Sequence, residues 1–237
     1  MDDAFAALAD AVADALSPTP PHIVAIGGAV AVGKSTIAGE LARELERRGR
    51  RVVVVATDAF LLSNTVLHER GLGLRKGFPE SFDLAAVQRF IGEIRAGAET
   101  IRVPVYSHRT YDVVPDEALE ITRPDLVVLE GVIALHPPVA DAVDVGVYVN
   151  AEEEDVREWF VDRFRRLTAA ARDDPSSFYH GFSAIPDDQL TALATSTWDS
   201  INGVNLHEHI LPSRERAGII VDKTAAHAIA ALRKVKT

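Results

Sequence analysis

Phe5, Leu8, Val12 and Leu16 recur at helical spacing behind Asp2 and Asp3, acids that suit a helix N-terminus, which predicts an amphipathic helix over residues 2–16. Ser17-Pro18-Thr19-Pro20-Pro21 stops it. The short apolar run Ile23–Ile26 then enters a Gly-rich turn, and Ile37, Leu41 and Leu45 form a helical stripe ending in Arg47-Arg48-Gly49, cations and a glycine placed as a helix C-terminus wants them. Val52–Val55, four β-branched residues in a row, predicts a strand covered on both faces, leading to Thr57-Asp58. Leu61–Gly77 has no clear period and is expected to be a long functional loop. Val87, Ile91 and Ile94 predict a helix over Ser81–Gly97 capped by Ser81 or Asp83. Residues 100–106 and 117–122 are candidate strands, and Leu126–Leu129 and Val145–Val149 are further buried runs. The acids Glu152–Asp155, followed by Arg157, Arg163, Arg165 and Arg166, match the macrodipole of a long helix. Ile219–Val221 reads as a late strand and Ala225–Val235 as a closing helix. Buried strands alternating with helices predict an α/β fold with a doubly wound, mainly parallel sheet.

Composition narrows the class. The 237 residues carry 25 Lys+Arg against 35 Asp+Glu, a net charge of −10, which disfavours general binding of nucleic acid or of an anionic membrane. With no cysteine there are no disulfides and no thiolate metal sites. The first residues are acidic where a signal peptide is basic, and no apolar run approaches a membrane span, so a cytoplasmic protein is expected.

Gly28-Ala29-Val30-Ala31-Val32-Gly33-Lys34-Ser35 fits G-x-x-x-x-G-K-[ST] between a predicted strand and a predicted helix. Gly28 and Gly33 let the backbone wrap a phosphate, helix N-terminal amides point at it, Lys34 reaches the outer phosphates, and Ser35 ligates Mg²⁺. Such a loop implies ATP or GTP but fixes no reaction, since ATPases, GTPases and small-molecule kinases share it. No Asn/Thr-Lys-x-Asp guanine signature occurs, which argues against a GTPase.

Ligands of open α/β sheets collect beyond the carboxyl ends of the strands, where Asp58 and Glu130 follow buried runs. Phosphoryl transfer to an alcohol needs one carboxylate to orient the hydroxyl and accept its proton, and another acid to hold Mg²⁺ or its waters. Asp58 suits the first role and Glu130 the second; the simpler alternative for each is an acid capping a strand end.

Several stretches resemble the bacterial type I pantothenate kinases. They are Val30–Thr36, Val66-Leu67 through Leu72, Lys76-Gly77-Phe78-Pro79-Glu80-Ser81, Pro104-Val105-Tyr106-Ser107-His108, Tyr111-Asp112-Val113, Leu129-Glu130-Gly131, Ile201-Asn202 with Asn205-Leu206, and Ile210-Leu211-Pro212 with Arg214-Glu215-Arg216-Ala217. They run in family order from about residue 22 onward. The resemblance implies ATP- and Mg²⁺-dependent phosphorylation of the primary hydroxyl of pantothenate, and a homodimer. The predicted helix and its proline-rich stop make residues 1–21 an N-terminal helix and linker, and the resemblance implies a P-loop kinase domain over 22–237 with lid and substrate-binding helices around 151–206. Asp58 would be the base, with Arg163 beside Lys34 in catalysis. Lys76 would approach the phosphates, as Thr36 does beside Ser35, and Lys223 and His227 would lie by the nucleotide. Tyr106, His108, Phe160 and Asn202 would line the pantothenate pocket.

The chain departs from the family at Phe160, where a tyrosine donates a hydrogen bond to pantothenate, and at Gly39, where an arginine is linked to coenzyme A feedback. It also departs at Ala59, where the family has glycine; were that glycine at positive φ, Ala59 would be strained. Plainer readings exist for some of these residues: His108 and His227 as ordinary hydrogen-bonded histidines, Asn202 as a helix cap, Arg163 on a solvated face. Two functional alternatives stand beside pantothenate kinase: a kinase of another small alcohol such as a nucleoside, sugar or hydroxy acid, and a regulatory protein that binds ATP without turnover.

Overall fold

The computed structural model describes residues 2–235; Met1 and Lys236–Thr237, the ends of the two predicted spans, lie outside the described residues. In chain order the elements are α1 (Asp2–Ala15), β1 (His22–Gly28), α2 (Lys34–Arg47), β2 (Val52–Ala56), α3 (Asn64–Glu69), α4 (Leu84–Arg95), β3 (Thr100–Ser107) and β4 (Asp112–Thr122). There follow β5 (Leu126–Glu130), β6 (Val145–Asn150), α5 (Glu153–Ala170), α6 (Asp187–Thr197), β7 (Ile219–Lys223) and β8 (Ile229–Lys234).

The apolar runs of β1, β5 and β6 need cover on both faces and take the middle of a six-stranded sheet ordered β2-β5-β1-β6-β7-β8. All neighbours are parallel except β7 and β8. Along β5 the side chains alternate between two cores: Leu126 and Val128 join Leu8 and Val12 of α1 and Ile37 and Leu41 of α2, while Val127 and Leu129 join Val87, Phe90 and Ile91 of α4. This double cover is the predicted doubly wound α/β architecture. β3 and β4 form a separate antiparallel pair whose Ile101, Val103 and Ile121 pack into the α4 core. Asp83 caps α4 by accepting the Ala86 N–H at 2.8 Å, whereas Ser81 is spent on the preceding turn.

Three local expectations are corrected. Ala225–Val235 is not a closing helix: the chain turns at residues 224–228, with His227 at φ 63°, and returns as β8 against β7. The open edge of β7 offers a full ladder of backbone hydrogen bonds, and Ile229 and Leu232 pack on the core from the strand, so tertiary pairing overrides the helical propensity of an alanine-rich segment. Val52–Val54 stay partly exposed because β2 is an edge strand. Within the expected loop, residues 64–69 form α3, capped by the Ser63 hydroxyl. No helix among the described residues is long and apolar enough to cross a membrane.

Gly39 lies in the middle of α2, where a Cβ would meet nothing within 4 Å. Because glycine surrenders more backbone freedom than alanine, Gly39→Ala is expected to stabilise the protein by about 0.5–1 kcal/mol, read as a higher urea midpoint at unchanged slope.

Candidate active site

The parallel strands β1, β2 and β5 end side by side, with Ile26 and Ala56 both in register with Glu130. The segments just beyond their carboxyl ends therefore meet in one place. β1 runs into the phosphate loop. A Cβ on Gly28 would stand 2.6 Å from the Val149 carbonyl, so the loop leaves the sheet in contact with β6, and Gly33 turns it into α2 at φ 94°. Lys34 opens the helix, only 8% exposed, and donates to the Ala29 carbonyl at 2.8 Å, arching its ammonium over the loop. Ser35 donates to Glu130 at 2.7 Å, which joins the two residues expected to face Mg²⁺. Thr36 follows, exposed on the first turn.

Asp58 sits in a short 3₁₀ turn, Thr57–Phe60, at the end of β2, and its carboxylate has no hydrogen-bond partner among the described residues. Ala59 has no positive φ, so the strain expected of an alanine there does not arise. A Cβ on Gly131 would fall 1.7 Å from the Thr57 hydroxyl oxygen; only glycine after Glu130 lets the segments carrying the two acids pack this closely. Burial pushes the Glu130 carboxyl up, the neighbouring Lys34 ammonium and Ser35 hydroxyl oppose this, and Asp58 adds to it. Burial likewise draws the Lys34 ammonium down against the pull of Glu130 and Asp58. Lys34, Asp58 and Glu130 thus meet in one cleft, where Arg163 adds a further positive charge.

The cleft holds about 410 Å³ and extends away from the phosphate loop into an aromatic chamber. Tyr106, His108, Phe160, Arg163 and Asn202 all line it, as does Lys76. Tyr106 meets His108 edge to face at 5.2 Å, and Phe160 packs 5.9 Å from the buried Trp198. The Lys76 ammonium lies on the aromatic side: it donates to the Asn64 side-chain oxygen at 2.6 Å and to the Tyr111 carbonyl at 2.5 Å, and stands 4.4 Å above the Tyr111 ring. Burial draws its pKa down while Asp112 and Asp58 pull it up. Burial also pushes the Tyr111 hydroxyl up to about 12, keeping it protonated and able to donate.

Lys223 and His227 stand apart from this chamber, on the outer side of the phosphate loop. Lys223 donates to the Val32 carbonyl at 2.8 Å, and His227 stacks on Trp159 at 3.8 Å. Tyr111 and Asn205 were given no role by sequence reasoning, yet both line the cleft; each lay inside a quoted motif, but nothing local to either shows where its side chain goes.

Cradle, acids and chamber together make a P-loop phosphotransferase site, and comparison with known proteins agrees. Residues 23–166 match the family described as Phosphoribulokinase / Uridine kinase, and the chain belongs to that family. Among curated relatives it is similar to the pantothenate kinase of Sorangium cellulosum (strain So ce56), 46% identical over 221 residues, covering 90% of this chain and 72% of the relative. The pantothenate kinase of Yersinia pestis (strain Pestoides F) is 42% identical over 226 residues with the same coverage. Among solved structures, a Silicibacter sp. TM1040 protein provisionally described as a fructose transport system kinase superposes with a TM-score of 0.72 at 26% identity, covering 90% of this chain and 94% of that one. D-glycerate 3-kinase from Cryptococcus neoformans var. grubii, at a TM-score of 0.67 and 15% identity over 98% and 97% of the two chains, shares the fold.

The raised Glu130 pKa makes a signed prediction for the protein without nucleotide. The folded state holds this proton more tightly than the unfolded chain does, so stability is full below the ordinary glutamate range, about pH 4.3, and falls as pH rises through the raised value. Melting temperatures taken from about pH 4.5 to 7 should show this decline in the parent and a flatter profile in Glu130→Gln.

Proposed function

We propose that the protein is an ATP-dependent kinase that phosphorylates the primary hydroxyl of pantothenate, the acceptor named for its 46% and 42% identical relatives. The observation that carries the reading is the convergence of Lys34, Ser35, Glu130 and Asp58 on one cleft that continues into a chamber large enough for a small organic acceptor.

The residues present fit ATP and Mg²⁺. The loop from Gly28 to Gly33 carries the buried Lys34 ammonium on its Ala29 carbonyl, where a phosphate would meet it, and Ser35 with Glu130 offers the sparse, all-oxygen donor set of a cation that keeps waters and phosphate oxygens as its other ligands. Bound there, ATP and Mg²⁺ supply the transferable phosphoryl group and part of its countercharge. Lys34 follows the outer phosphates and neutralises charge as it builds, most effectively where water is scarce. Asp58 aligns the acceptor hydroxyl and takes its proton. Arg163, reaching in from α5, adds positive charge, and Lys76 does so from the acceptor side. Tyr106, His108 and Asn202 hold the polar groups of the acceptor, while Phe160 and its aromatic neighbours exclude the water that would otherwise be phosphorylated instead. Lys223 and His227 flank the nucleotide from outside the loop, and the enzyme works as a homodimer in the cytoplasm, as the resemblance implies.

D-glycerate 3-kinase shares this fold, and Phe160 stands where the resemblance places a tyrosine that donates to pantothenate, so other acceptors are worth testing. A panel of pantothenate, glycerate, fructose and uridine with ADP readout decides: pantothenate should be turned over best, and inactivity on pantothenate beside a good second acceptor would replace it. Asp58→Ala should lower turnover by about 10³-fold or more while nucleotide affinity survives, whereas Lys34→Ala should damage both. Near-normal turnover in Asp58→Ala would remove the base assignment.

A further inference from the structure

The helical stretch that closes the acceptor chamber is irregular. α6 gives way to a π-helical stretch, Trp198–Asn202, then to three α-helical residues, 203–205, then to a second π-helical stretch, Leu206–Ile210. π-turns are rare and re-aim side chains, and they cluster at functional sites. Asn202, at the end of the first, faces the cleft; Asn205, just before the second, reaches across the chain.

Asn205 is 6% exposed, and its side-chain Nδ2 donates to the Gly77 carbonyl at 2.9 Å, a bond between residues 128 apart in sequence. A carbonyl only accepts, so the amide is forced to present its NH₂ group there, and its Oδ1 is left buried with no donor among the described residues. An unsatisfied buried oxygen is a penalty that an apolar side chain of similar size would avoid, so the residue is explained by the bond it makes and not by packing.

The far end of that bond is the residue after Lys76. Gly77, at φ 95°, also donates its N–H to the Ser81 hydroxyl at 2.9 Å, and Ser81 in turn donates to the carbonyl of the buried Phe78. Between them these contacts fix the backbone on the carboxyl side of Lys76, whose ammonium stands in the chamber on Asn64 and Tyr111. Within the same short segment Leu74 is 78% exposed at the cleft, while Arg75 pairs with Glu80 and lies over the Phe78 ring, so the Asn205 bond is the hydrogen bond that ties this stretch to the helical wall.

We infer that Asn205 is a positioning residue for the transfer reaction: through its bond to Gly77 it registers the Lys76 segment against the helical face that bears Asn202, so that the cation and the amide on opposite walls of the chamber meet the acceptor together. Neither the family match nor the names of the relatives assigns this residue a role. The inference rests on the reading of the cleft as an acceptor site for phosphoryl transfer.

A double-mutant cycle tests it. Asn205→Leu removes the donor together with the unpaired Oδ1 and leaves the Gly77 carbonyl unpartnered, and Asn205→Asp keeps the shape while replacing the donor by an acceptor. Each should lower kcat/KM for the acceptor by about 10-fold or more, with KM for ATP within about 2-fold of the parent and an unchanged circular dichroism spectrum. Lys76→Met should do the same or more, and Asn205→Leu added to Lys76→Met should cost little further, because the bond acts through the lysine. Losses that simply multiply in the double variant, an equal rise in KM for ATP, or a folded Asn205→Leu protein with parental kinetics would each overturn the inference. A parent protein inactive on every acceptor would overturn the functional reading instead, and the two failures are told apart by that control.

Discussion

The structure depends on keeping one ammonium and two carboxylates together where water is scarce. Lys34, Asp58 and Glu130 come from the ends of three adjacent parallel strands, and parallel pairing is what sets those ends side by side. Burial alone would neutralise Lys34 and Glu130; mutual charge compensation and the Ser35 hydrogen bond oppose this, with Lys34 pulled down and Glu130 pushed up from their ordinary values. Such a cluster is an expensive way to stabilise a fold, and its perturbed groups, Lys34 and Glu130, line the cleft that a ligand would enter.

The chemistry divides along the cleft. Beside the phosphate loop the chain offers backbone amides, Lys34 and the oxygens of Ser35 and Glu130, parts that serve any P-loop kinase. Beyond Asp58 it offers aromatic walls interrupted by a few polar groups. Lys76, held among Tyr106, Tyr111 and Asn64, belongs by position to this second region, although it feels the charge of Asp58 from the first.

Much of this was legible in the sequence because it is local. The phosphate loop is contiguous, and its strand-before, helix-after context is written in the Ile23–Ile26 run and the Ile37, Leu41, Leu45 stripe. That Asp58 and Glu130 lie at neighbouring strand ends follows from a rule that needs only the strands to be recognised. The failures have a common cause. β8 was misread because a helical propensity was visible locally while the open edge of β7 was not. Asn205 and Tyr111 were passed over because their partners, Gly77 and Lys76, lie 128 and 35 residues away, and no periodicity encodes a contact between loops. The short helix α3 escaped because six residues give too little period to see.

The central claim is that the acceptor hydroxyl, aligned by Asp58, meets the terminal phosphorus directly in this single cleft. The stereochemical course of transfer tests it most directly. With ATP made chiral at the γ-phosphorus by oxygen isotopes, one in-line displacement must invert configuration in the phosphorylated acceptor, and inversion is the predicted result. Retention would require two displacements through a phosphorylated side chain, with Asp58 itself or His108 as the nucleophile, and would contradict the account.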